Sequence, residues 1–184
     1  MKSLLLKASN SVAKFNQMPK KILGKGAKRP LVNLPLNVIE LDSNNPRLAD
    51  EHLGSNELTV LRVLYEEFDL EEIGFSMAEN GYFDEEPIVV VPKNLPKSIK
   101  LDETDVEKTQ KEIENLIKNE SGIKFIVVEG NRRIAAAKLL VDKELRGKLE
   151  ISKDDFPIPK NKEVEDDLRL IPAIVYSDSK FISP

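Results

Sequence analysis

Apolar residues recur along this chain with two different periods, and the sharpest change from one to the other falls within residues 123–141. Ile123, Phe125, Ile126, Val127 and Val128 form a β-branched and aromatic run of strand length. Beyond Gly130 the pattern becomes helical. Ile134, Ala135, Ala136, Ala137, Leu139, Leu140 and Val141 are so uniformly apolar that the helix is predicted to be buried on most of its circumference. Earlier, Leu36–Leu41 alternates and reads as a strand that ends in the turn formers Asp42-Ser43-Asn44-Asn45-Pro46-Arg47. From Asn56, the spacing of Leu58, Leu61, Val63, Leu64 and Phe68 predicts a helix. A second helix is expected to start at Asp69, capped by that side chain with Glu72 in the first turn, to bury Ile73, Phe75 and Met77, and to stop at Asn80-Gly81. Pro87–Pro92 is apolar on both faces and predicts a strand inside a sheet. Thr104 with Glu107 reads as a capping box opening a charged helix whose narrow stripe is Val106, Ile113, Leu116 and Ile117. Ile171–Tyr176 is the last strand.

Strands interleaved with helices predict a mixed α/β (α+β) domain with a small mixed sheet, spanning residues 31–184. Residues 93–121 and 142–170, the latter broken by Pro157 and Pro159, read as two charged helical insertions that cover a surface. Residues 1–30 form an arm: Leu4 or Leu5, Ala8, Val12 and Phe15 recur at helical spacing, and a linker with Gly24 and Gly26 follows Met18-Pro19. A length of 184 residues with 40% hydrophobic content is enough for one domain with a core plus a tail.

The formal charge of -4 conceals an asymmetry. The arm carries eight basic residues and no acid, which leaves 20 basic residues against 32 acidic ones in the body. Such an arm binds nucleic acid or lies on its own domain, and Lys20, Lys21, Lys25, Lys28 and Arg29 are the candidate DNA contacts. The chain has no cysteine and one histidine, His52. Disulfides, thiolate zinc sites and cysteine nucleophiles are excluded, and any metal is expected to be oxygen-bound, such as magnesium. Met-Lys-Ser-Leu-Leu-Leu begins like a signal peptide, but Lys7 ends the apolar run after three residues; a cytoplasmic protein with no membrane partner is expected.

The candidate chemistry gathers at the strand-to-helix corner. The turn is expected at Glu129, Gly130 and Asn131, with Asn131 as a helix cap, Gly130 allowing close approach to the backbone, and Arg132 and Arg133 supplying fixed charge. The first helical amides lack intrahelical partners, so the corner presents donors suited to a phosphate. The alternative is a plain surface corner in which the arginines pair with Glu129 or Asp42.

Val128-Glu129-Gly130-Asn131-Arg132-Arg133-Ile134-Ala135-Ala136-Ala137 resembles the Gly-Glu-Arg-Arg box of the ParB N-terminal domain, and Asn45-Pro46-Arg47 resembles that family's Asn-Pro box. The order of elements over about residues 36–177 is similar to that of the ParB/sulfiredoxin fold. The resemblance implies a nucleotide site, for CTP or for ATP or ADP, with phosphates against Gly130, Arg132 and Arg133 and with Asn45 and Arg47 beside them. Asn45 would help hold magnesium or phosphate. Three departures stand out. Asn131 occupies a position usually taken by Glu, sulfiredoxin chemistry lacks its cysteine, and the later acidic-Asn segment and helix-turn-helix do not follow, as in a trimmed chain or a stand-alone domain.

Three functions are therefore expected to compete. One is a nucleotide-binding switch domain in DNA-associated processes, with slow or no hydrolysis as a CTPase or ATPase, that alters how the chain meets DNA or a second copy in a homodimer. The next is a ParB-like nuclease or phosphotransferase, for which Asp42, Glu129 and Glu85 are the candidate acids. The last is a non-catalytic module for DNA or protein.

Overall fold

The computed structural model describes residues 31–83, 85–102, 105–119 and 122–177. Among these residues five strands form one mixed sheet: β1 (Leu31–Pro35), β2 (Ile39–Glu40), β3 (Ile88–Pro92), β4 (Phe125–Glu129) and β5 (Leu170–Val175), in the spatial order β1-β5-β3-β4-β2. β1 runs antiparallel to β5 and β3 antiparallel to β4, whereas β3 with β5 and β2 with β4 are parallel. The apolar run of β3 lies inside the sheet, as its two-faced hydrophobicity predicts. The last strand is interior as well.

The sheet starts earlier than its pattern suggests. Leu31–Pro35 alternates outward and inward, with Val32 and Leu34 buried, and it pairs with β5 along its whole length. Leu36–Val38, expected to be extended, is a single 3-10 turn, and only Ile39 and Glu40 of that segment pair with the sheet. Pro35 has no N–H to give to a ladder, and the chain tightens just after it.

Among the described residues six α-helices accompany the sheet: α1 (Glu57–Glu67), α2 (Leu70–Asn80), α3 (Val106–Lys118), α4 (Asn131–Val141), α5 (Lys143–Lys148) and α6 (Lys162–Asp167). α4 is the central one, packed against α1, α2 and α5, with Ile134, Ala135, Ala136, Ala137 and Leu139 fully buried. The Asn56 side chain caps α1 by accepting from the Thr59 amide, as expected, and Gly81 ends α2 at φ 85°. The start of α2 differs from expectation. Asp69 sits at φ 48° and its side chain makes no cap bond. Phe75 is exposed, because the inward stripe of α2 is Leu70, Gly74, Met77 and Ala78. Gly74 is there for space: a Cβ would stand 2.5 Å from the Phe156 ring.

The charged stretches contribute to the core. α3 is capped by Asp105, while Thr104 lies outside the described residues. Its Thr109 and Ile113 are buried, and the helix packs on β1. Between residues 142 and 170, Phe156 and Leu168 are fully buried. The expected basic contacts Lys20, Lys21, Lys25, Lys28 and Arg29 lie outside the described residues.

Candidate functional site

β4 delivers the chain to Gly130 at φ 103°, and α4 begins at the next residue. Glycine is required here twice over. That φ is hostile to other residues, and a Cβ would lie 2.6 Å from Ile88 Cγ2. Gly130, and not Asn131, occupies the cap position, and its carbonyl accepts the first helical bond, from the Ile134 amide at 3.0 Å. The amides of Asn131, Arg132 and Arg133 have no acceptor within the helix, and the dipole of an 11-residue helix adds to their pull on an anion.

Asn131 does not cap; its buried side chain acts as a bracket. Its Nδ2 donates to the Val127 carbonyl at 3.0 Å, and its Oδ1 accepts from the Asp42 amide at 2.9 Å. The second bond crosses 89 residues of sequence and pulls the Asp42–Arg47 loop against the start of α4. That loop is stiffened from within: Asp42 accepts from the Asn44 amide at 2.9 Å, and Asn45 Oδ1 from the Arg47 amide at 3.0 Å. Pro46 adds a fixed φ.

The loop and the corner together wall a cavity of about 620 Å³. Asn45, Pro46 and Arg47 form one side, and Val128 to Arg133 another. All six predicted phosphate-binding residues are thus brought together, and Glu129 joins them. Asp42 and Glu85 are not in the wall; Glu86 is. The rest of the lining is apolar: Leu64, Phe68, Ile73 and Phe83. In the sequence Phe68 and Ile73 read as core residues because they fall at helical spacing, yet both are only half buried and face this cavity. Phe83 carries no periodic signal at all.

The arginines are held by groups other than those expected. Arg132 Nη2 donates to the Asp69 carbonyl at 3.1 Å, while its Nε is buried with no partner among the described residues. Arg133 Nη1 donates to the Glu86 carbonyl and stands 3.4 Å from the Glu86 carboxylate. Neither pairs with Glu129 or Asp42, so the simple corner-closing arrangement is not what forms. Arg47 is exposed, and its side chain has no hydrogen bond or ion pair among the described residues. Burial pushes the Tyr82 phenol up to about 12, against the opposing pull of the Arg133 charge.

This donor set fits an anion. An orphaned, buried guanidinium N–H in a wall with two further arginines and an open helix start has its hydrogen-bonding capacity left for oxygen acceptors. For a metal alone the fit is poorer. Among the described residues no group of three His, Cys, Asp or Glu is placed to hold one, and Asn45 Oδ1 is already engaged. A magnesium here would be held chiefly by phosphate oxygens, with Glu129 and Glu86 as the carboxylates in the wall.

No family model matches the chain, and no curated protein matches it in sequence. Among solved structures it is similar to the C-terminally truncated chromosome-partitioning protein ParB from Caulobacter crescentus, complexed with CTP-gamma-S, at 16% identity and a TM-score of 0.35. The match covers 80% of this chain and spans 44% of that one. Among the described residues no helix is long and apolar enough to cross a membrane.

Proposed function

We propose that the cavity binds a nucleoside triphosphate, CTP or ATP with magnesium, and that the chain is a nucleotide-binding switch domain with slow or no hydrolysis, serving a DNA-associated process. One observation carries the proposal: Asn45-Pro46-Arg47 and Gly130 to Arg133, two boxes far apart in sequence, wall the same cavity. Arg47, Arg132 and Arg133 give its polar side three positive charges, and Phe68, Phe83, Leu64 and Ile73 give the other side a surface for a base. In this reading the phosphates lie against the α4 start, and the loop held by Asn131 closes over them. A ligand spanning both boxes would be gripped from two sides, by the α4 start and by the loop that Asn131 holds against it.

The test is a thermal-shift and calorimetric panel of CTP, ATP and GTP, each with and without magnesium. A true ligand at a hundred times its dissociation constant adds about 2.7 kcal/mol to stability. Binding without turnover supports the switch. Metal-dependent strand cleavage would replace it with the nuclease reading, and no binding by any nucleotide would end both.

A further inference from the structure

Arg133 already faces one anion built into this fold, the Glu86 carboxylate. Its side chain is 16% exposed and fixed over the turn, with Nη2 3.4 Å from where a Gly130 Cβ would lie. The Glu86 carboxylate that faces it is 68% exposed. Glu86 is therefore free to swing into solvent, and Arg133 is not. Their separation of 3.4 Å exceeds the 2.7–2.9 Å of a strong charge-assisted hydrogen bond, so the side-chain pair is loose. The Glu86 backbone, by contrast, is anchored. Its amide donates to the Phe83 carbonyl at 3.0 Å, its carbonyl accepts from Arg133, and Pro87 follows. The segment's other end is tied down by the Tyr82 amide, which donates to the Asp167 carboxylate at 2.7 Å. Of the Arg133–Glu86 side-chain pair, the Glu86 carboxylate is the partner left to move.

We infer that the Glu86 carboxylate is an internal competitor for the phosphate, occupying the open face of Arg133 until an incoming anion displaces it. This rests on the phosphate reading above. Glu86 then sets the threshold of the site: weakly charged anions fail to displace it, and polyphosphates succeed. Losing its charge strengthens binding, the opposite of what a ligand-holding residue does. Glu85 is the control, since it is exposed, adjacent in sequence and absent from the cavity wall.

The experiment is calorimetric titration of the full chain with inorganic tripolyphosphate, comparing the parent with Glu86→Gln and Glu85→Gln at two salt concentrations. Glu86→Gln should bind about three- to tenfold tighter, and Glu85→Gln within about twofold of the parent, given the size of exposed charge pairs and their screening. Unchanged or weaker binding by Glu86→Gln overturns the inference while leaving the phosphate site intact. Equal tightening by both variants overturns it too, since net charge alone would then be responsible. If parent and variants all fail to bind tripolyphosphate, the phosphate reading falls and takes this inference with it.

Discussion

The side-chain oxygen of Asn131 accepts the backbone N–H of Asp42 at 2.9 Å, and through that bond two distant segments of the chain become one site. The other end of the same amide holds the Val127 carbonyl. A carboxylate at position 131 keeps the acceptor and loses the donor. Asn131→Asp should therefore destabilise the fold by about 1–3 kcal/mol, since it removes the donor to the Val127 carbonyl and puts a carboxylate in its buried place. Asn131→Ala should cost a similar amount and also weaken nucleotide binding by freeing the Asn45–Arg47 loop. Denaturant melts and titrations on both variants check this.

Gly130 is a poor probe of ligand binding, for a structural reason. Gly130→Ala places a methyl against Ile88 and forces a φ of 103° on a residue that resists it. It should lower stability by about 2–4 kcal/mol with or without nucleotide. Equal melting temperatures for parent and variant would contradict the backbone geometry at this turn.

Arg132 and Arg133 should each lose nucleotide affinity on truncation to alanine, by roughly ten- to hundredfold. Both also brace the protein, Arg132 through the Asp69 carbonyl and Arg133 through that of Glu86. A modest fall in melting temperature, worth about 1 kcal/mol, is expected alongside. A stability loss with unchanged affinity would make them braces only.

Ile113 tests the charged segment that reads as a removable cover. It is fully buried, and its helix lies on β1. Ile113→Ala should cost about 2–5 kcal/mol, and chemical denaturation measures it. A cost under 0.5 kcal/mol, about what a surface substitution gives, would restore the view of α3 as an ornament.

Most of what positions the site was legible in the sequence. β4, α4 and β3 announce themselves because their apolar runs are long and two-faced, and Asn56 and Gly81 mark helix ends by chemistry that local sequence fixes. The two boxes were recognisable as short motifs, and their meeting follows from the topology. Other features depend on contacts that no local pattern encodes. β1 is five residues beside a basic arm, and its partner β5 is about 140 residues away. Phe75 reads as inward by hydrophobicity, whereas Gly74 on the inward face of α2 fits under Phe156. Asn131 has the composition of a cap, and its tertiary partner Asp42 decides otherwise. Phe68 and Phe83 become cavity walls only once α1 and the segment after α2 face the box.

Arg47 offers the most direct test of the central claim, that one ligand is gripped by both boxes. It comes from the loop opposite α4, and its exposed side chain makes no bond among the described residues, so its removal leaves the fold unburdened. The measurement is the nucleotide affinity of Arg47→Ala by calorimetry, using whichever of CTP and ATP the parent binds in the presence of magnesium. The account predicts a loss of roughly ten- to hundredfold at an unchanged melting temperature of the free protein. Parent-like affinity would contradict it, leaving the α4 corner to bind alone, without the loop that Asn131 holds in place.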